Sequence, residues 1–177
     1  MKFLANVDPI DFERVTDGID VETTLFIIVS KTFTTAETMM NARMVKKLIL
    51  SHYNKDGESS DVLGCHLAAV STNLKATKEF GIREENVFGF WDWVGGRFSV
   101  SSAVGLLPLS LQYGYDLVEK FLAGLNSIDS HFLSEQASQN VPLLLGLIGF
   151  YNTYICGLNS RALLPYCQAL LRFPAHI

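Results

Sequence analysis

The chain has 177 residues, 49% of them hydrophobic and 18% charged, with a formal net charge of −4. That is enough apolar material for one substantial core, and the acidic balance gives no basic field to attract nucleic acid. Its three cysteines, Cys65, Cys156 and Cys167, are odd in number and lack metal-ligand spacing, and no secretory signal precedes them, so no metal site is expected and the thiols are expected free, buried and in a reducing compartment.

In chain order, the first clear element is Leu25-Phe26-Ile27-Ile28-Val29, a short continuous apolar run of the kind a strand buried on both faces shows. It hands over to a hydroxyl-rich turn, Ser30-Lys31-Thr32-Phe33-Thr34-Thr35. Thr34 and Glu37 have capping-box spacing, and Ala36, Met40, Met44 and Leu48 recur at helical intervals, which predicts a helix from about Thr35 to Ser51. Asn54 to Asp61 is hydrophilic and dense in turn formers, and reads as an exposed connection without chemistry. Strands are predicted at Leu67 to Val70 and Val87 to Phe90, with a helix from Asn73 to Phe80 between them. From Ser99 the pattern becomes mainly helical, broken by Pro108 and by turns near Gly114 and Gly124. Val141 to Leu158 is long and apolar, but Pro142, Asn152, Tyr151 and Tyr154 interrupt it, so a buried helix is expected there and no membrane span. Ala162 to Pro165 is a candidate for a further strand. The alternation predicts an α/β fold, a parallel sheet with flanking helices of the doubly wound type, followed by a mainly helical segment leading into a second domain. The two portions are taken as residues 1–98 and 99–177, with no internal repeat.

Chemistry concentrates in two places. In an open parallel sheet, ligands bind outside the carboxyl ends of the strands, and there Ser30, Thr32, Thr34 and Thr35 offer hydroxyls, Lys31 offers charge and the following helix offers unpaired N–H groups. That set suits a phosphate monoester; the glycines of a Walker loop are absent, which disfavours a nucleoside triphosphate. The same residues also fit ordinary helix capping. The second place is Asp92-Trp93-Val94-Gly95-Gly96-Arg97-Phe98-Ser99, where a double-glycine turn carries a cation that keeps its proton near neutral pH. Arg97 therefore acts as a stabiliser or clamp of something anionic, or else the turn is an ordinary solvated loop. Asp92, close to Arg97 in sequence, is expected to lie against the guanidinium and to make a poor base. Glu37 is explained by capping. His52, His66, His131 and His176 have no motif partners and receive no catalytic role, and Trp91 and Trp93, which could wall a sugar pocket, are taken as core.

At these two places the sequence resembles the glucose-6-phosphate isomerase family. Phe26 to Thr38 resembles the family's sugar-phosphate loop, and Phe90 to Ser99 its glycine-arginine signature. Ala69-Val70-Ser71-Thr72-Asn73, Glu79-Phe80-Gly81-Ile82, Asp129-Ser130-His131-Phe132 and Leu164-Pro165-Tyr166 agree in order and spacing. Members of the family are considerably longer, so the resemblance implies a central piece that starts after the family's first glycine-rich loop and ends before its catalytic glutamate. Residues 1–98 would be the later part of the first sugar-isomerase domain, and 99–177 a helical connection and the start of the second. The implied activity is reversible isomerisation of glucose 6-phosphate and fructose 6-phosphate through a cis-enediolate, in glycolysis and gluconeogenesis, with no cofactor. Ser30, Lys31, Thr32 and Thr35 match the phosphate-binding positions, Phe33 and Thr34 complete the loop, and Thr38 stands one turn further on. Arg97 matches the arginine beside the enediolate, and Gly96 shapes its approach. The resemblance further implies a cytoplasmic homodimer of the longer enzyme, binding neither nucleic acid nor membrane, and a piece that is inactive alone. A noncatalytic sugar-phosphate-binding module is the alternative, and a nonfunctional, associating product a third possibility.

Overall fold

A computed structural model describes residues 1–55 and 60–177. The chain divides into two units, Met1–Pro108 and Leu109–Ile177.

The first unit opens with helix α1 (Pro9–Thr16), capped by Asp8, whose carboxylate accepts from the Ile10 N–H at 2.9 Å. A three-stranded parallel sheet follows in the order β1 (Phe26–Val29), β2 (Leu67–Val70), β3 (Val87–Phe88). Phe26 pairs with Leu67 and Val29 with Val70, while Ala69 pairs with Val87 and Val70 with Phe88. Parallel neighbours cannot be joined by a tight turn, so helices make the crossovers. α2 (Ala36–His52) and α3 (Ser60–His66) connect β1 to β2, and α4 (Leu74–Phe80) connects β2 to β3. β2 lies in the middle and is buried along its whole length, which is why its sequence, Leu-Ala-Ala-Val, carries no polar alternation. Met39, Ala42, Val45 and Ile49 recur every three or four residues along α2 and bring one face onto a core that includes Ile28, Phe33, Leu63, Leu67, Ala69 and Ile82. Each large aliphatic side chain buried there contributes about 1.5–3 kcal/mol relative to exposure. The α/β reading therefore holds, and the three strands, α2 and α4 lie where they were expected, but α1 and α3 were not anticipated, and α3 begins at Ser60, inside the expected connection. β3 is shorter than expected because Gly89 and Phe90 have already left the sheet. Of the expected connection from Asn54 to Asp61, residues 56–59 lie outside the described residues.

α5 (Ala103–Tyr113) spans the division between the units, and it runs through Pro108 without ending there. A proline inside a helix removes one N–H bond and can still be tolerated, whereas Gly114, at φ +83°, turns the chain and separates α5 from the next helix. In the second unit, α6 (Tyr115–Ser134) continues through Gly124, where a turn was expected. Asn140 then joins α6 to α7 (Val141–Phe150): its amide donates to Phe132 O at 2.8 Å, and its carbonyl oxygen accepts from the Leu143 N–H at 3.1 Å. One π-helical turn (Tyr151–Ile155) extends α7, and a short α8 (Phe173–His176) closes the chain.

Three expectations fail in this half. Val141 to Leu158 is not buried: none of the α7 residues is, and Leu145 is 66% exposed. Ala162 to Pro165 forms no strand. The cysteines are free but exposed, not buried. For Val141 to Leu158, Cys156 and Cys167 the physical reason is shared. Apolar composition states a demand for burial, but among the described residues of this unit no sheet or second layer meets it, and Val118 and Asn140 are its buried side chains. Cys65 in the first unit is exposed for a different reason, being on the outward face of α3.

Candidate functional site

β1 and β2 end side by side, and each strand end runs directly into a polar turn. Ser30, buried, donates its N–H to Val70 O at 3.1 Å, and Ser71, also buried, donates its N–H to Phe88 O at 3.2 Å, so the ladder continues one residue past each strand. The turn after β2 then holds the turn after β1 from beneath. The Lys31 carbonyl accepts from the Thr72 N–H at 3.0 Å, the Ser71 hydroxyl at 3.0 Å and the Thr72 hydroxyl at 2.7 Å. The Asn73 amide donates to Thr32 O at 2.9 Å. These bonds fix the Lys31 and Thr32 carbonyls of the loop against the turn after β2.

Phe33 makes this arrangement possible. It sits at φ +58°, a left-handed conformation that a bulky residue adopts only against strain. What holds it there is burial: its ring is 4% exposed and meets Phe80 edge to face with centroids 5.6 Å apart, while its N–H donates to Ser30 Oγ at 3.2 Å. With Phe33 turned inward, Thr32, Thr34 and Thr35 face outward, and Thr32 and Thr34 share a hydroxyl contact at 2.7 Å. Thr35 is the N-cap of α2 but makes no side-chain capping bond, so the predicted Thr34–Glu37 capping box is not formed. The first-turn N–H groups of α2 therefore keep their donors open beside the Thr35 hydroxyl, and Thr38 is half-buried one turn further on.

The second motif meets the first through one side chain. Lys31 Nζ donates to the carbonyls of Asp92 and Val94, the latter at 3.3 Å, which brings the glycine-arginine turn beside the hydroxyl loop. Gly96, at φ +54°, takes the left-handed turn that starts a 3-10 helix over Gly96–Ser101. The turn is braced from within: Ser99 donates to Gly96 O and Ser102 to Ser99 O, both at 2.7 Å. A side chain at Gly105 would put its Cβ 2.3 Å from the Val100 carbonyl oxygen, so only glycine allows α5 to start so close to that turn.

Arg97 is exposed at the turn. It forms no ion pair with Asp92, contrary to expectation; the loop instead presents the backbone carbonyl of Asp92 to Lys31. Trp91 and Trp93 are not core residues either. They are 67% and 75% exposed and stack on one another, centroids 5.1 Å apart and planes within 5°, because the loop has left the sheet before Trp91 and offers no second layer to cover them.

Ser71, Thr72 and Asn73 are residues that sequence reasoning left without a role. The signal was present, since a fully apolar strand running into Ser-Thr-Asn is the same strand-to-polar-turn pattern as at Ser30 to Thr35.

The histidines are occupied elsewhere. His66 is buried, and its Nδ1 faces Thr24 O at 3.0 Å; a carbonyl only accepts, so Nδ1 carries the proton and Nε2 accepts from the Tyr53 hydroxyl at 2.8 Å. Burial, and then the carboxylates of Glu22 and Asp20, push the Tyr53 phenol above its ordinary value. His52 faces Glu22 at 3.4 Å, His131 accepts the Val141 N–H at 3.1 Å, and His176 stacks on Phe173. Among the described residues no cluster of His, Cys, Asp and Glu is arranged to hold a metal ion, and no helix is long and apolar enough to cross a membrane.

The family model for phosphoglucose isomerase matches residues 1–177. Over all 177 residues the chain is 55% identical to a cytosolic glucose-6-phosphate isomerase of Zea mays and 52% identical to one of Arabidopsis thaliana, of which it spans 30% and 31%. A crystal structure of a glucose-6-phosphate isomerase from Chlamydia trachomatis D/UW-3/Cx matches with a TM-score of 0.85 at 33% identity, covering 98% of this chain and 32% of that one. The chain thus spans somewhat under a third of the length of these relatives.

Proposed function

The chain belongs to the phosphoglucose isomerase family, and from that premise we propose that it supplies the phosphate-holding and enediolate-stabilising portion of an enzyme that interconverts glucose 6-phosphate and fructose 6-phosphate. The observation that carries this reading is the bridge from Lys31 Nζ to the Asp92 and Val94 carbonyls, which sets an outward-facing row of hydroxyls and helix N–H groups beside the turn that bears Arg97.

Aldose-ketose isomerisation through an enediolate needs four jobs done: phosphate held, the ring opened, a proton moved between C1 and C2, and the intermediate stabilised. The Ser30 hydroxyl is turned inward to Phe33, so it contributes by shaping the loop. Thr32, Thr34, Thr35 and the first N–H groups of α2 receive the phosphate oxygens, with Thr38 at the edge. Arg97 supplies fixed positive charge to the cis-enediolate, and Gly96 lets it approach. Loss of one such stabiliser commonly lowers the rate by about a hundredfold to a thousandfold. No residue of this chain is assigned as the base, so turnover requires the further length that the relatives have, and the 177-residue chain alone is expected to be inactive. Residues 1–98 would then complete a first sugar-isomerase domain and 99–177 lead into a second. The relatives named cytosolic support a cytoplasmic location, and a homodimer of the longer enzyme follows from the family reading.

The test is thermal unfolding of the chain with and without fructose 6-phosphate, for the wild type and Thr35→Ala. A ligand that binds only the folded state stabilises it by about 2.7 kcal/mol at a hundred times its Kd. The wild-type midpoint is expected to rise and the Thr35→Ala midpoint to stay put. No rise, or an equal rise in both, would overturn the assignment.

A further inference from the structure

Lys31 belongs to the hydroxyl loop, and its geometry gives it a second task. The ammonium group has three donors and no acceptor. Its Nζ lies against the carbonyls of Asp92 and Val94, across more than sixty positions of sequence, so the group has more donors than these two acceptors use. Those carbonyls flank Trp93 and immediately precede Gly95-Gly96-Arg97. The backbone on either side of the bridge is restrained independently. On the hydroxyl-loop side, the Lys31 carbonyl is fixed by Ser71 and Thr72. On the other side, the Val94 N–H donates to Trp91 O at 3.0 Å and closes the turn into a unit. One side chain therefore joins the two turns, and apart from it the Trp91–Val94 turn is closed by a single backbone bond.

We propose that Lys31 is a positioning residue that sets the Arg97 turn relative to the hydroxyl loop and couples the two. Its ammonium clamps the Trp91–Val94 turn through two carbonyls, and its remaining donor is shared with an anion held by Thr32, Thr34 and Thr35. Occupancy by a phosphate monoester then changes the pull on the turn that carries Arg97. The coupling rests on the phosphate reading given above; the clamp does not.

The molecule contains its own reporter. Its two tryptophans are Trp91 and Trp93, stacked on the clamped turn, so tryptophan fluorescence and the exciton couplet in circular dichroism arise from this loop alone. The experiment compares the wild type with Lys31→Met, which keeps the aliphatic stem and removes the donors, and Lys31→Arg, which restores donors and charge. Trp91→Phe identifies the couplet. Lys31→Met is expected to lose most of the couplet and to keep its cooperative unfolding, with Lys31→Arg recovering a substantial part. An unchanged couplet in Lys31→Met overturns the clamp. Should Lys31→Met not unfold cooperatively, Lys31→Gln, too short to reach both carbonyls, takes its place with the same expected loss and the same refuting result. Titration with fructose 6-phosphate then separates the two levels. A wild-type fluorescence change that is absent in Lys31→Met supports the coupling. A thermal shift dependent on Thr35 with no fluorescence change refutes the coupling and leaves the phosphate reading standing. If there is no thermal shift at all, the phosphate reading fails and the coupling with it, while the ligand-free couplet still decides the clamp.

Discussion

Replacing Phe33 with alanine and with glycine gives results that ordinary intuition about helix and loop substitutions would reverse. Phe33 is 4% exposed, packs edge-on against Phe80 at 5.6 Å, and holds φ at +58°. Both substitutions forfeit the ring, and losing a buried phenylalanine costs about 3–5 kcal/mol. Alanine keeps a Cβ in a left-handed conformation, at a penalty of roughly 1–2 kcal/mol. Glycine is relieved of that penalty but gives back about 0.4–1 kcal/mol through the greater freedom of its unfolded chain. Phe33→Gly is therefore expected to be less destabilised than Phe33→Ala, by about 1 kcal/mol. With an m-value of about 2 kcal/mol/M, urea unfolding would separate the two midpoints by about 0.5 M. A Phe33→Ala protein as stable as Phe33→Gly, or more so, would refute the reasoning, because it would mean that burial does not force the chain through the left-handed region at this turn.

The contrast between the units predicts that Ile49→Ala, at a fully buried site on α2, lowers unfolding stability by about 2–5 kcal/mol. Leu145→Ala on α7, 66% exposed, is expected to change it by no more than about 0.5 kcal/mol in urea titrations of this chain. For Tyr53, burial raises the phenol above its ordinary value of 10.0, so the folded state binds the proton more tightly than the unfolded state does. Its contribution is complete below pH 10.0 and is lost as pH rises through the raised value, so stability should fall more steeply above pH 10.0 in the wild type than in Tyr53→Phe. Chemical denaturation across that range checks the sign.

Much of the first unit was legible because its elements are short and its patterns unmixed. The apolar runs at Leu25 to Val29 and Leu67 to Val70 both marked strands, but it is β2 that is buried along its length while Val29 of β1 is exposed; the spacing of Ala36, Met40, Met44 and Leu48 marked α2, whose buried face is instead Met39, Ala42, Val45 and Ile49. The polar turns at the strand ends were equally plain, since a row of hydroxyls directly after an apolar strand marks where the chain leaves the sheet. What composition could not supply was which surfaces meet. Trp91 and Trp93 are large and apolar, yet they lie on a loop beyond the sheet. Val141 to Leu158 demands burial, but sequence does not say what provides it. Pro108 and Gly124 weaken a helix by amounts that neighbouring residues overcame. The Lys31 bridge to Asp92 and Val94 ends on backbone carbonyls, which have no sequence signature, and so the contact that joins the two motifs was invisible until the chain was seen folded.

On the reading proposed here, the hydroxyl loop and the glycine-arginine turn form one anion site. Amide chemical-shift mapping of the chain during titration with fructose 6-phosphate tests it most directly. The N–H signals of residues 31–38 and 95–97 are expected to move together along a single saturation curve. If the first set moves and the second does not, or if neither moves, the two motifs do not act as one site.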